Sequence, residues 1–313
     1  AWAVDLDPFA CQTYCRCIPG ASSQTVQCGD VTQMDLSALP PIDALAFGFP
    51  CNDFSRVGEQ KGLDGAFGPL YQAGVSVLKS HKPLVFIAEN VGGLMNANGG
   101  RAYIAILADL EKAGYRVHAQ LYKCEDYGVP QRRHRVLFVG FREDLDHTFL
   151  PPEPTTPHPT QRVSAGRALS GIQKNAANHE LTRMHSRVVE RLSHIKPGEN
   201  AFNAALPDDL RLNVKGATIS QIYKRLDPNQ PSYTVTGSGG GGTHIYHWDE
   251  PRALTNRERA RLQTFPDSFV FEGPKEAVRK QIGMAVPPHF AEILCRAVLD
   301  QLSEALAKAD SGI

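Results

Sequence analysis

Residues 44–51 read ALAFGFPC, which is six apolar residues, then a proline, then a cysteine. A continuous apolar run of this length predicts a β-strand that other elements cover on both faces. In an open α/β sheet, ligands bind beyond the carboxyl ends of the strands. Cys51 therefore stands where such a sheet places functional residues, although a single cysteine is more often an inert core side chain.

The chain on both sides of this run alternates short apolar stretches with helical patterns as far as residue 143. Strand-length apolar runs and helical spacing of apolar residues identify the elements. Predicted strands cover 2–6, 25–28, 44–49, 84–88, 115–121 and 135–141, and predicted helices cover 8–15, 69–80 and 101–113. This alternation predicts an open, mostly parallel α/β sheet.

The composition changes after Asp146, where a proline-rich connector (PPEPTTPHPT) begins and periodicity becomes weak. We expect a catalytic domain over 1–144 and a smaller, irregular domain over 145–273. The last segment, 274–313, should return to the first domain through a helix at about 288–307. Thr255 and Glu258 form the pattern of a capping box at the start of another helix, over 255–263.

Composition alone excludes few functions. The 313 residues contain 33 basic and 33 acidic side chains, so net charge gives no sign of a nucleic-acid partner. Residues 151–270 are mildly basic, with 15 Lys and Arg against 11 Asp and Glu, which is compatible with a phosphate-facing domain. No apolar stretch reaches 18 residues, so we expect no membrane span. Seven cysteines without a secretion signal favour a reduced, cytosolic setting, and their spacing fits no common zinc pattern.

Two further groups should lie near Cys51. Glu89 follows the apolar run LVFIA at the expected end of the neighbouring strand. A carboxylate in such surroundings should have a raised pKa, which suits a proton donor. In the segment QRRHR, residues 131–135, alternate positions point to one face of a strand. Arg133 and Arg135 should therefore both face the edge of the sheet that carries Cys51 and Glu89.

With these motifs the sequence resembles the cytosine-C5 DNA methyltransferases. The resemblance rests on five stretches that occur in the family's order: GFPCNDFS (48–55), ENV (89–91), QRRHR (131–135), RALTNRERARLQTFPDSF (252–269) and KQIGMAVPP (280–288). It implies a Rossmann-like, S-adenosylmethionine-dependent methyltransferase sheet with a smaller target-recognition domain. It also implies a bacterial restriction–modification enzyme that acts on double-stranded DNA.

The resemblance assigns catalytic roles to four residues. Cys51 would add to C6 of a cytosine flipped out of the duplex. Glu89 would donate a proton or hydrogen bond to N3, Arg135 would bind O2, and Arg133 would help to hold this arrangement. A base then removes the C5 proton, and the cysteine leaves.

The resemblance also assigns binding residues. S-adenosylmethionine would be held by Asp5 on the ribose and by Leu6, Asp30, Val31, Pro50 and Met284. Expected DNA contacts are Ser55, Gln131, Gly239, Gly240, Arg252 and Thr255. The glycines belong to the run GSGGGG (237–242), which would otherwise be interpreted as a flexible linker.

Two departures from the family's pattern matter. Met284 stands where the family has asparagine, and a thioether cannot donate a hydrogen bond, so cofactor affinity should be lowered. The family's first strand and its Phe-x-Gly-x-Gly-Gly loop do not occur in this sequence. We therefore expect the chain to be one part of an enzyme, completed by an N-terminal segment or a partner chain, and to fold poorly without it.

Two alternatives remain open at this point. The same fold could methylate cytosine in RNA, although the long variable region at about 145–255 suits sequence-specific DNA readout. The chain could also be an inactive DNA-binding homologue, which Met284 favours and which the presence of Cys51, Glu89 and Arg135 disfavours.

Overall fold

The structure is a computed structural model, which describes residues 1–49, 68–212, 220–240 and 242–311. The strands are β1 (Ala3–Asp5), β2 (Val26–Cys28), β3 (Ala44–Gly48), β4 (Val85–Val91), β5 (Tyr115–Lys123), β6 (Gln131–Arg132), β7 (His134–Arg142) and β8 (Ser232–Tyr233). The helices are α1 (Pro8–Cys17), α2 (Gly68–His81), α3 (Arg101–Lys112), α4 (Ala165–Leu169), α5 (Ser186–Ser193), α6 (Asn256–Leu262), α7 (Lys275–Met284) and α8 (Pro288–Ser311). Each predicted strand and helix of the first 143 residues therefore occurs, with small shifts of its ends.

The main sheet has four strands in the order β3-β4-β7-β5. β3 and β4 are parallel, whereas β7 is antiparallel to both of its neighbours. Strands β3, β4 and β5 therefore run in one direction, as expected for a mostly parallel sheet, and β7 is the reversed strand of this mixed sheet. A parallel return needs a crossover of a dozen or more residues, and the short segment 124–133 between β5 and β7 permits only antiparallel pairing. β1 and β2 form a separate parallel pair.

Strand β3 differs from its prediction in burial. Its residues alternate between exposed and half-buried, and only Leu45 and Phe47 pack against the neighbouring core. The expected cover on both faces is therefore absent among the described residues. β3 is the terminal strand of the described sheet, so it pairs only with β4 there.

Apolar side chains cover both faces of the central strands β4 and β7 of the main sheet. On one face, Leu78 of α2 and Ile106 of α3 share an apolar cluster with Phe138 of β7. On the other face, α8 packs through Phe290, Leu294 and Val298. Burial of each such side chain contributes about 1.5–3 kcal/mol, so the two layers hold the strand ends in fixed positions.

Helix α8 returns to the sheet as expected. By length and composition alone, one helical stretch over 275–309 could cross a membrane. Within it, however, Phe290, Leu294 and Val298 pack on the sheet, and Pro287 and Pro288 separate α7 from α8. The stretch is therefore used here as the core-packing helix of a globular domain.

The smaller domain has its own apolar clusters. One joins residues of α4 and α6 with Val278 and Ile282 of α7. Helix α7 thus packs on the smaller domain, while α8, which follows directly, packs on the main sheet. The capping box predicted for α6 is present, because Thr255 and Glu258 exchange side-chain and backbone hydrogen bonds.

Candidate active site

The parallel pairing of β3 and β4 brings two motifs together. In this register, Gly48 lies opposite Glu89. Asn90 is buried, and its Nδ2 donates a hydrogen bond to the Phe49 carbonyl at 2.9 Å. The end of β3 is thereby attached to β4 immediately before Pro50 and Cys51. Asn90 did not figure among the predicted site residues, although it is the middle residue of the ENV stretch.

Glu89 and Arg135 form the central ion pair of the site. Arg135 Nε lies 2.6 Å from Glu89 Oε1, and both side chains are largely buried. The pair forms because the β4–β7 register places Arg135 opposite Val91. Val91 is two residues along the strand from Glu89, so the side chains of Glu89 and Arg135 lie on the same face of the sheet. The expectation that these two residues lie together is confirmed.

The surroundings of Glu89 raise its pKa, as the sequence predicted. Burial is the largest cause, and the positive charges of Arg135 and Arg133 oppose it. Burial disfavours the charged form of a carboxyl group. Glu89 therefore retains a proton to higher pH than an exposed glutamate, which a proton donor requires.

Arg133 is fully buried and connects the sheet to the smaller domain. Its Nη1 donates to the Val235 carbonyl at 3.1 Å, and its Nη2 donates to the Gly283 carbonyl at 2.9 Å. Burial and the neighbouring charge of Arg135 lower the pKa of Arg133 to about 9. Its position suits the holding role expected for it.

Gln131 has a structural position instead of the expected DNA contact. Its side chain is fully buried. Nε2 donates to the Leu262 carbonyl and to Gln263 Oε1, and Oε1 accepts from the Val235 amide. These bonds join β6 to the smaller domain and leave the side chain inaccessible to DNA.

The two expected phosphate contacts are likewise committed within the protein. Thr255 is buried, caps α6 and contacts His179 Nδ1 at 2.8 Å. Arg252 pairs with Glu250 and with Glu258, and its side chain is 17% exposed. Phosphate binding by these two side chains would have to compete with these internal contacts, and it stays a prediction.

The glycine-rich segment, defined here as residues 236–240, lies against helix α7. A Cβ at position 283 would lie 2.0 Å from the Gly237 nitrogen, so backbone meets backbone directly at that point. The Gly239 carbonyl accepts a hydrogen bond from Arg279 Nη1 at 3.0 Å. The segment is thus docked on the protein and is not a free linker. Gly240 is exposed, so DNA contacts by Gly239 and Gly240 stay a prediction.

The expected cofactor residues line the carboxyl end of the β1–β2 pair. Asp5 lies opposite Cys28, and the Gly29 amide donates to the Asp5 carbonyl at 3.0 Å, which places Asp30 nearby. Asp5, Leu6 and Asp30 are exposed, and Val31 is half-buried. Exposed carboxylates suit ribose hydroxyls and an adenine amine, and apolar side chains suit the faces of an adenine ring. The donor set therefore fits S-adenosylmethionine.

Helix α7 reaches the same edge. Lys280 Nζ lies 3.3 Å from Asp7 Oδ2, at the turn after β1. Met284 lies one helical turn beyond Lys280, on the same side of the helix, and is 66% exposed. Its exposed thioether is compatible with the expected position beside the cofactor. Pro50, Cys51 and Ser55 lie outside the described residues, so their roles stay predictions.

Comparisons with known proteins agree with this geometry. The chain is 58% identical over 306 residues to the Type II methyltransferase M.BbvI of Brevibacillus brevis, and the match covers 96% of this chain and 81% of that protein. It is 42% identical to the Type II methyltransferase M.NgoFVII of Neisseria gonorrhoeae, with 99% of this chain and 83% of that protein covered.

Solved structures show the same fold. A putative DNA modification methyltransferase encoded within an E. coli prophage matches with a TM-score of 0.71 and 22% identity, covering 97% of this chain and 93% of that one. S. pombe Dnmt2 methyltransferase matches with a TM-score of 0.58 and 15% identity, covering 96% and 91%. The expected methyltransferase fold is confirmed. Residues 1–300 match the C-5 cytosine-specific DNA methylase family, and the chain belongs to that family.

Proposed function

We propose that this chain is a DNA (cytosine-5-)-methyltransferase of a bacterial restriction–modification system, acting on double-stranded DNA in the cytoplasm. The observation that carries the proposal is the buried Glu89–Arg135 pair beside the end of β3. This strand ends at Gly48, three residues before Cys51 in the sequence. A proton donor, a fixed cation and a thiol at one strand end suit addition to a pyrimidine ring.

Cys51 acts as the nucleophile in this proposal. Its thiolate forms a bond to C6 of cytosine, and the electron pair of the C5–C6 double bond moves toward C5, which becomes nucleophilic. Glu89, which burial keeps protonated to higher pH, donates to N3, so negative charge does not build up on the ring. After C5 receives the methyl group, a base removes the C5 proton and the Cys51 thiolate leaves.

Arg135 and Asn90 fix the geometry of this reaction. Arg135 is held by Glu89 and also donates from Nη1 to the His134 carbonyl at 2.8 Å. Its guanidinium can direct a further donor to O2 of the ring. Asn90 fixes the Phe49 carbonyl, two residues before Cys51 in the sequence. Such positioning can account for several kcal/mol of a reaction barrier.

S-adenosylmethionine supplies an electrophilic methyl group when it is bound. Asp5 would hold the ribose hydroxyls, and Asp30 with Val31 would contact the adenine. Hydrogen bonds from Thr32 lower the pKa of Asp30, so this carboxylate stays an acceptor at neutral pH. Leu6 and Met284 would cover the apolar parts of the cofactor.

Covalent trapping tests the proposal. Duplex DNA that contains 5-fluorocytosine retains fluorine at C5 after methyl transfer, so Cys51 cannot leave and the protein stays attached to DNA. We expect a denaturation-resistant complex that requires S-adenosylmethionine. Cys295→Ala, which alters an exposed thiol on α8, should form the complex, and Cys51→Ala should not. Trapping on the matching RNA but not on DNA would instead identify an RNA methyltransferase, and trapping on neither would refute the proposed activity for this chain.

A further inference from the structure

Arg259 on helix α6 is a buried cation that no described residue partners by a hydrogen bond. Its side chain is 1% exposed, and its three guanidinium nitrogens have no hydrogen-bond partner among the described residues. Arg257, two residues earlier, shows the usual arrangement, since it donates to the carbonyls of Ala177, Pro266 and Phe269. Unsatisfied buried donors are rare in native proteins because each destabilises the fold. The position of Arg259 therefore requires an explanation.

The surroundings of Arg259 contain a second positive charge, that of Arg279. Arg279 of α7 has a side chain that is 9% exposed, and its carboxylate partner Glu276 is 79% exposed, at 3.3 Å. Burial and the charge of Arg279 lower the pKa of Arg259 to about 10. His244 is half-buried here, and burial together with the charges of both arginines lowers its pKa to about 4. The guanidinium groups of Arg259 and Arg279 and the ring of His244 thus lie close together.

The neighbouring acidic side chain offsets this charge only in part: the charge of Glu258 favours the charged form of Arg259, but burial and Arg279 outweigh it. Glu258 is adjacent in sequence, but it pairs with Arg252 and accepts from the Thr255 amide. The remaining polar contact of Arg279 is the uncharged carbonyl of Gly239. An excess of positive charge in a buried place is strongly unfavourable unless an anion joins it.

We propose that Arg259 and Arg279 together bind one phosphate group of the DNA backbone, which reaches them past the glycine-rich segment. The inference rests on the proposed function, because it takes double-stranded DNA as the ligand. A phosphate offers both negative charge and several acceptor oxygens, which match planar arginine donors. A guanine edge offers acceptors alone and would leave the two like charges unneutralised.

The glycine-rich segment provides the route. The Gly239 backbone lies against the site so closely that a Cβ there would lie 2.7 Å from Arg279 Nη1 and 3.0 Å from His244 Nδ1. Gly240 is exposed, and a Cβ there would meet no described atom within 4 Å. A phosphate oxygen approaching at Gly240 replaces the Gly239 carbonyl as the acceptor for Arg279 and then reaches Arg259.

The test uses Arg259→Met in the full chain, with Arg296→Gln as the matched control. Arg296 is an exposed arginine on α8. DNA affinity is measured by titration of a labelled duplex over a range of salt concentrations, and Tm is measured without DNA. Arg259→Met should weaken DNA binding about tenfold. It should also make the fall of log K with log salt less steep by about one unit, because one phosphate contact is lost. Its Tm should rise by a few degrees, because an unpaired buried charge is removed. The control should change none of these quantities.

Four results would overturn the inference. A lowered Tm with an unchanged salt slope would show that Arg259 is structural. Loss of affinity for one DNA sequence only, with the same slope, would show base recognition. Unchanged binding by Arg259→Met, while the wild-type protein binds and methylates DNA, would refute the phosphate site and leave the proposed function intact. Absence of wild-type DNA binding would refute the proposed function itself, together with this inference.

Discussion

Replacement of Gly283 by alanine should separate helix α7 from the glycine-rich segment. The new Cβ would lie 2.0 Å from the Gly237 nitrogen and 2.2 Å from the Thr236 carbonyl carbon. Both atoms are backbone, so no side chain can rotate away, and the segments must part by more than an ångström before reaching the 3.4 Å of ordinary contact. The same movement disturbs the 2.9 Å hydrogen bond from Arg133 to the Gly283 carbonyl.

The magnitude follows from these two effects. Overpacking costs about 1–3 kcal/mol, and a hydrogen bond from a charged donor contributes about 1.5–3 kcal/mol. Alanine returns about 1 kcal/mol through its better helix propensity. We expect a loss of about 3 kcal/mol in the free energy of unfolding and a drop in Tm of about 5–10 °C.

Thermal unfolding followed by circular dichroism measures this change. The matched control is Gly93→Ala, where the added Cβ would meet no described atom within 4 Å, and its Tm should stay within about 1 °C of wild type, as for a neutral surface substitution. A Gly283→Ala protein as stable as this control would refute the close backbone contact and the docking of the glycine-rich segment.

Three further predictions concern the site. Cys51→Ala should abolish methyl transfer and leave DNA affinity, measured by gel shift, within about threefold of wild type, because phosphate and base contacts dominate binding. Glu89→Gln should lower the rate of methyl transfer about 10²–10⁴-fold. The wild-type rate should fall as pH rises through the raised pKa of Glu89, because the proton donor is lost. This decline should be absent from the pH–rate profile of the variant. Arg252→Ala should lower Tm, because it removes the ion-pair partner of the buried Glu258. The salt dependence of DNA binding should not change. A weaker salt dependence at unchanged Tm would show instead that Arg252 binds phosphate.

The central pair could be predicted from the sequence because its determinants are local. An apolar run fixes strand β4 and therefore the position of Glu89, and alternation in QRRHR fixes the direction of Arg135. The antiparallel direction of strand β7 does not follow from the sequence pattern, because an apolar run identifies a strand but neither its neighbours nor its direction relative to them. Gln131 was misassigned for a related reason: its partners, Val235 and Leu262, lie about 100 residues away or more. Long-range partners of this kind are set by tertiary packing.

The arrangement of the segment 131–135 has a consequence for fidelity. Gln131 and Arg133 bind the smaller domain, while Arg135, only two residues further on, pairs with Glu89 at the proposed reacting centre. Because this segment is short and each end is held by hydrogen bonds or an ion pair, it cannot accommodate a displacement of the smaller domain without moving Arg135. If an incorrect DNA sequence tilts the smaller domain, the error is carried directly to the group that should meet the cytosine ring. Discrimination between sequences can then be expressed in the rate of methyl transfer as well as in the strength of binding.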